Sequence, residues 1–188
     1  MTSLCVGCGI CCDGTMYKSV DLYKNDRPDL LEEAGLVLSN DGAFDFFRLP
    51  CTSFAAGCCK IYEIRPTVCA EYRCLLLRRL EAGEIPYADA LALVEKTTAI
   101  RDRVRSGLNA YLETDDRVPL SELYRRMLAK LDSADDPAAA RREQRELLFD
   151  VVALRVILAR DFEPRDSKSH VPDEVAAELQ SISTAGSP

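Results

Sequence analysis

The stretch CVGCGICCDG, residues 5–14, places four cysteines within eight positions, at Cys5, Cys8, Cys11 and Cys12. Two residues separate each of the first three thiols, so neighbouring sulfurs can turn towards one point while the intervening amides hydrogen-bond them. Three thiolates in tandem suit adjacent corners of an iron–sulfur cluster with a fourth ligand from elsewhere, whereas zinc more often takes two ligands from each of two turns. The spacing therefore predicts a metal site and favours iron–sulfur over zinc.

The cysteines of this chain are concentrated at one end. All nine lie in the first 74 residues, and the other five are Cys51, Cys58, Cys59, Cys69 and Cys74. Cysteines used only as small buried hydrophobes would not segregate in this way, and an odd number argues against a disulfide framework. Two alternatives to a metal stay open: a set of reduced thiols, and thiol–disulfide exchange through one C-x2-C pair. The βαβ context expected for such exchange is absent.

Composition narrows the function classes. A chain of 188 residues with 47% hydrophobic and 29% charged residues fits one globular domain, or one domain with an appendage. The net charge of −7 argues against a general nucleic-acid binder, because affinity for phosphates comes from Lys and Arg. No apolar run approaches the roughly 18 residues of a membrane span, and no export signal is visible. We therefore expect a cytoplasmic location and no membrane partner; in the reducing cytosol structural disulfides are uncommon.

Histidine and glycine exclude other kinds of site. The single histidine, His170, lies near the C-terminus, so two-histidine zinc fingers, histidine-based metalloproteases and facial-triad iron sites are ruled out. Gly7, Gly9 and Gly14 do not form a phosphate-binding motif. We interpret them as backbone freedom that lets a loop wrap around a metal.

The N-terminal half reads as short elements around the cysteines. The pattern predicts a helix within residues 17–37, and a hairpin whose strands are 43–49 and 60–62, joined by CTSFAAGC. Another helix is predicted from Pro66 to Gly83. Cys69 and Cys74 would lie about 140° apart on a regular helix, so both can serve one site only if the helix ends or distorts near Cys74.

The C-terminal half is predicted to be helical from Pro86 onward. One apolar stripe recurs at helical spacing: Ala90, Val94, Thr97, Ile100, Val104, Leu108 and Tyr111. A second helix is predicted over 119–131 and a third from Asp136-Pro137. The expected fold is mainly α with a small β-hairpin. Its parts are a cysteine-rich metal-binding region (1–80), a helical region packed on it (81–161) and a weakly ordered tail (162–188) with a short helix around VAAELQ.

The cysteine pattern resembles the CxxCxxCC cysteine-cluster family, often called YkgJ-type, whose members are described as zinc- or iron-chelating proteins. The residues that carry the resemblance span about 5 to 74: Cys5-VG-Cys8-GI-Cys11-Cys12, then Cys51, then Cys59-K-Ile61-Tyr62-EI-Arg65-Pro66-TV-Cys69 and Cys74. The resemblance implies eight metal ligands: Cys5, Cys8, Cys11, Cys12, Cys51, Cys59, Cys69 and Cys74. The metal would be an iron–sulfur cluster, with 4Fe-4S favoured, or zinc, in one four-cysteine site with accessory thiols or in two sites. Cys58 is the extra cysteine.

Two other functions stay open at this point. The cysteine region is also similar to that of flagellin lysine N-methylases, which implies a protein-modifying methyltransferase as an alternative, although no adenosylmethionine-binding loop is visible. The second alternative is an interaction module whose helical half binds a protein partner while the metal is structural.

Three residues near the second cysteine group are expected to support the site. Ile61 and Tyr62 would pack the hairpin onto the metal, with Tyr62 a shield. Arg65 would either donate hydrogen bonds to sulfurs or carboxylates, or form an ion pair with Glu63 or Glu71.

Overall fold

The computed structural model describes residues 3–115 and 117–164. Within these ranges the chain forms seven α-helices: α1 Pro28–Glu33, α2 Thr67–Glu71, α3 Leu75–Glu81, α4 Tyr87–Leu112, α5 Leu120–Asp132, α6 Pro137–Glu143 and α7 Arg145–Ile157. The same ranges contain five short strands: β1 Ser19–Asp21, β2 Leu38–Asn40, β3 Asp45–Arg48, β4 Phe54–Ala55 and β5 Cys58–Cys59. The predicted fold class, mainly α with a small antiparallel β part near the N-terminus, is confirmed.

Helix α4 is the central helix of the helical part. It begins after Pro86, whose extended backbone precedes the first turn, and it ends where Glu113 adopts a left-handed conformation. Six members of the predicted stripe are buried, and α4 packs against α5 and α7 along this face: Ala90, Val94, Thr97, Ile100, Val104 and Leu108. The hydrophobic periodicity therefore identified the buried face correctly.

The third predicted helix is wrong as one continuous element. It begins as expected, because the Asp136 side chain accepts a hydrogen bond from the backbone N–H of Ala139 at 2.9 Å. The helix then breaks at Gln144, which leaves helical geometry between α6 and α7. The break lets α6 pack on α5 while α7 packs on α4, which one straight helix would not do. After α7 a π-helical turn, Leu158–Phe162, continues the chain.

The helix predicted within residues 17–37 is present, but it is short and begins only at Pro28. Residues 19–21 form strand β1, and only the short α1 after Arg27 is helical, with Pro28 at its first position. Asp26, which precedes α1, caps the distant helix α2. Its carboxylate accepts hydrogen bonds from the N–H and the hydroxyl of Thr67, the first residue of α2, at 2.7 and 2.6 Å.

The predicted hairpin is also wrong, although the strand within 43–49 is present as β3. This strand lies at the centre of a three-stranded antiparallel sheet in the order β1-β3-β2, with Val20 and Leu38 opposite Phe47 on either side. Phe47 is 2% exposed, so burying it between two strands fixes this pairing. The segment expected to be a turn forms its own hairpin, β4–β5, and residues 62–64 form a 3₁₀ turn.

Two separate hydrophobic cores flank the cysteines. The larger core lies between α3, α4, α5 and α7, and it also buries Leu4 and Ile10 from the N-terminal loop. The smaller core is formed by Leu22, Leu31, Leu36, Phe47, Leu49, Cys51 and Ile61. The cysteine segments therefore lie where the two cores meet.

The described chain stays packed up to its C-terminal end. Phe162, the first residue of the predicted tail, is 1% exposed and belongs to the larger core. The rest of the predicted tail, including His170 and the VAAELQ helix, lies outside the described residues. Among residues 3–115 and 117–164, no helix is both long and apolar enough to cross a membrane.

Candidate metal centre

The opening loop is coiled by its glycines. Gly7, Gly9 and Gly14 all have positive φ, which glycine adopts without a Cβ penalty. The carbonyl of Gly9 accepts hydrogen bonds from the N–H groups of Cys12 and Asp13 at 2.8 and 2.9 Å. The loop thus turns tightly at its glycines.

Two arginines of α4 hold this loop against the helical core. The Arg101 guanidinium donates to the carbonyl of Cys8 at 3.2 Å and to the carboxylate of Asp13 at 2.7 Å. Arg105 donates to the carbonyl of Asp13 at 3.0 Å and to that of Val118 at 3.0 Å. Sequence reasoning missed both residues, because nothing local shows that they contact a loop about 90 positions away.

Replacing Arg101 with Met should destabilise the protein by about 2 kcal/mol, because Asp13 would stay largely buried without its charge partner. Both side chains are mostly enclosed, at 14% and 17% exposure. Arg103→Met on the same helix is the matched control: its pair with Asp150 is open to solvent and should contribute less than about 1 kcal/mol. Urea unfolding of the two variants measures the difference. Equal losses would contradict this role for Arg101.

The first group of thiols combines the opening loop with α3. Its three members are Cys5, Cys8 and Cys74: Cys5 and Cys74 raise the pKa of Cys8, and Cys5 raises that of Cys74. Burial raises the pKa of Cys8 to about 12 and that of Cys74 to about 11. Cys8 and Cys74 also pack against the larger core.

Cys74 reaches this group because the predicted helix from Pro66 is broken. The helix stops at Glu71, Tyr72 is extended, and Cys74 becomes the N-cap residue of α3. Its sulfur accepts a hydrogen bond from the N–H of Leu77 at 3.4 Å. The prediction of one continuous helix from Pro66 to Gly83 is therefore wrong. The break near Cys74 is the distortion that would let Cys69 and Cys74 serve one site, since they lie about 140° apart on a regular helix.

The second group of thiols lies against the smaller core. Burial raises the pKa of Cys69 to about 12, with further increases from Cys11, Cys51 and Cys59. Burial also raises the pKa of Cys51, partly offset by hydrogen bonds from the amides of Ser53 and Phe54. The three thiols of this group come from three separate segments: Cys51, Cys59 and Cys69.

Cys11 and Cys12 lie between the two groups. Their sulfurs are 3.8 Å apart, and this contact together with burial raises the pKa of Cys11 well above its usual value. The charge of Cys11 acts on Cys5, Cys8 and Cys74 of the first group and on Cys69 of the second. The carbonyl of Cys12 accepts a hydrogen bond from the N–H of Cys51 at 2.8 Å, which joins the opening loop to the second group.

Cys58 and Cys59 differ in their surroundings. They are adjacent in strand β5, where successive side chains point to opposite faces. Cys58 is exposed, whereas Cys59 packs against the smaller core and raises the pKa of Cys51 and Cys69. The hairpin therefore turns Cys59, and not Cys58, towards the other thiols.

Arg65 lies near thiols of both groups. Among the described residues Arg65 forms neither of its two predicted contacts; its guanidinium lies 3.9 Å from the centroid of the Tyr62 ring. Burial raises the pKa of Cys5 and of Cys69, and the charge of Arg65 offsets part of both increases.

Tyr17 and Tyr72 join the segment after the opening loop to the break between α2 and α3. Their hydroxyls are 2.9 Å apart, and their rings meet edge to face with centroids separated by 5.7 Å. Neither residue was singled out from sequence, because the pair is created by the helix break.

The cysteine sulfurs are suitable ligands for a soft metal, although in this structure they are not arranged around a common point. In the described part of the chain, no three Cys, His, Asp or Glu side chains are arranged to hold a metal ion as they stand. Thiolate is the ligand that zinc, copper(I) and iron–sulfur clusters prefer, and the backbone N–H of Leu77 already donates a hydrogen bond to the sulfur of Cys74. Because burial raises the pKa of Cys8, Cys69 and Cys74, a metal must displace the protons of these thiols when it binds.

Comparison with known proteins agrees with this chemistry. Residues 4–92 match the model of the CxxCxxCC family, whose description is "putative zinc- or iron-chelating domain". No curated protein and no solved structure matches the chain. The comparisons give no support to the methylase alternative or to a protein partner. The match includes the opening cluster, both later cysteine segments and the start of α4. Residues 4–92 of the chain therefore match the CxxCxxCC family, as the cysteine pattern indicated.

Proposed function

We propose that this protein binds iron, as an iron–sulfur centre, through eight cysteine thiolates. The observation that carries the proposal is the gathering of thiols from four distant segments at the junction of two cores. Buried thiols packed together repel one another once ionised, and a bound metal removes that repulsion. A cytoplasmic location, where thiols stay reduced, fits this function and remains a prediction.

The arrangement favours two ligand groups over one. Cys8 and Cys74 pack against the helical core, with the exposed Cys5 near both of them, and Cys51, Cys59 and Cys69 lie on the side of the smaller core. Each group has three thiols and needs a fourth. The adjacent thiols of Cys11 and Cys12, placed between the groups, supply one fourth ligand each.

Iron–sulfur is favoured over zinc by the spacing of the cysteines. The tandem spacing of Cys5, Cys8 and Cys11 suits neighbouring corners of one cluster, whereas zinc more often takes two ligands from each of two turns. When bound, such a cluster would supply one-electron redox chemistry.

The two-group proposal is tested by removing one thiol from each side. Cys74→Ser and Cys51→Ser, purified anaerobically, should each retain about half of the metal of the unaltered protein, and the double variant should retain almost none. Metal and acid-labile sulfide per chain are the quantities to measure. Full loss of metal in both single variants would contradict two groups and indicate one shared site.

Cys59→Ser should lower metal content in the same way as Cys51→Ser, because both thiols belong to the second group. Cys58→Ser is its matched control, since that residue is adjacent, of the same type and exposed. We expect Cys58→Ser to leave the metal content unchanged. The reverse result would show that Cys58 is the ligand.

A further inference from the structure

A cavity with no role in the metal centre lies between helices α4, α5 and α7. Its volume is about 160 Å³, and Thr15 and Lys18, which follow the opening loop, also line it. The floor is apolar and is formed mainly by Val104, Leu108, Leu154 and Leu158, each of which is nearly fully buried. None of the eight candidate metal ligands lines it.

The rim of this cavity is cationic. Lys18, Arg125 and Arg155 line it from three different elements, and no carboxylate is among its described lining residues. Arg125 is already paired with Glu122, at 2.6 Å. Within residues 3–115 and 117–164, Lys18 and Arg155 have no ion pair, so two positive charges at the rim are available.

A buried hydroxyl without a partner also belongs to the wall. Thr15 is 4% exposed, and its Oγ1 has no hydrogen-bond partner in the described structure. An unpaired buried hydroxyl is costly, and few natural sites leave one without a reason. The cavity therefore combines an apolar floor, unpaired cations and one unsatisfied polar group, which is the usual composition of a small-molecule site.

We propose that this cavity binds a small amphiphilic carboxylate. An apolar cavity of about 150 Å³ holds a benzene molecule, so the apolar part of the ligand has about six carbon atoms. Its chain would lie on the floor between α4 and α7, and its carboxylate would pair with Lys18 and Arg155 at the rim.

The test uses the purified full chain with its metal and hexanoate as the probe. Calorimetry should give saturable binding with a Kd on the order of 1 mM, ordinary for a ligand of this size. Acetate lacks the apolar part and 1-hexanol lacks the charge, so both should bind more weakly. In NMR spectra the methyl signals of Val104, Leu108 and Leu154 should shift with hexanoate.

Two variants and one control examine the charge recognition. Lys18→Gln and Arg155→Gln should each weaken hexanoate binding by about fivefold, the scale of a partly exposed ion pair. Arg142→Gln, at an exposed arginine of α6 that does not line the cavity, should change it little. Binding of 1-hexanol as tight as that of hexanoate would overturn the proposal. So would an equal effect of Arg142→Gln, or unchanged methyl signals with no saturable binding.

Discussion

Removing the metal should unfold the sheet and hairpin, residues 17–74, while helices α4, α5 and α7 persist. The smaller core consists of only seven buried residues, and a core of this size does not hold a domain together without a further constraint. Structural metal sites commonly contribute on the order of 10 kcal/mol, which here would be lost from one half of the molecule. The larger core, with eighteen buried residues, does not depend on that contribution.

Hydrogen exchange read by mass spectrometry measures this difference directly. After treatment with a strong chelator, amides of β1, β3 and α2 should exchange freely, and amides in the middle of α4 should stay protected. A non-chelating salt at the same ionic strength is the control. If the metal is gone and β3 keeps its protection, the metal does not hold the N-terminal half together.

The substitution Gly9→Ala should destabilise the protein by about 2–4 kcal/mol. Gly9 has φ of +65°, which costs an alanine about 1–2 kcal/mol. An added Cβ would also lie 2.6 Å from Cε1 of the Phe54 ring, so the ring and hairpin β4–β5 must shift. Because that hairpin presents Cys59, the variant should also lose part of its metal.

The variant Gly7→Ala separates the backbone cost of a side chain at positive φ from the cost of the contact with Phe54. Gly7 lies in the same loop with φ of +85°, but an added Cβ would meet nothing within 4 Å. We therefore expect only the backbone cost, about 1–2 kcal/mol, and unchanged metal content. Denaturant unfolding and metal analysis of both variants give the comparison. A Gly9→Ala protein no less stable than Gly7→Ala would show that the contact with Phe54 is unimportant.

The helical half was largely predictable from sequence because its signals are local. The apolar stripe of α4 and the proline at the start of α6 identify a buried face and a helix start without knowledge of the partner. The family could be recognised for a similar reason, since the spacing of Cys5, Cys8 and Cys11 is itself a local pattern.

The errors concern contacts between distant segments. Phe47 is buried between β1 and β2, and the run AFDFFRL contains no indication of which strands it joins. The break at Tyr72 is accompanied by a hydrogen bond to Tyr17, 55 residues earlier, which helix propensity does not register. The hydrogen bond between Arg101 and Asp13 of the opening loop could not be predicted from sequence either, because an arginine on a helix usually indicates only a solvated face.

The most direct test of the proposed iron–sulfur centre is the iron, zinc and acid-labile sulfide content of the protein purified without oxygen, together with its visible absorption. We predict a coloured protein that contains iron and sulfide in nearly equal amounts and little zinc. A colourless protein with stoichiometric zinc and no iron would contradict the proposal.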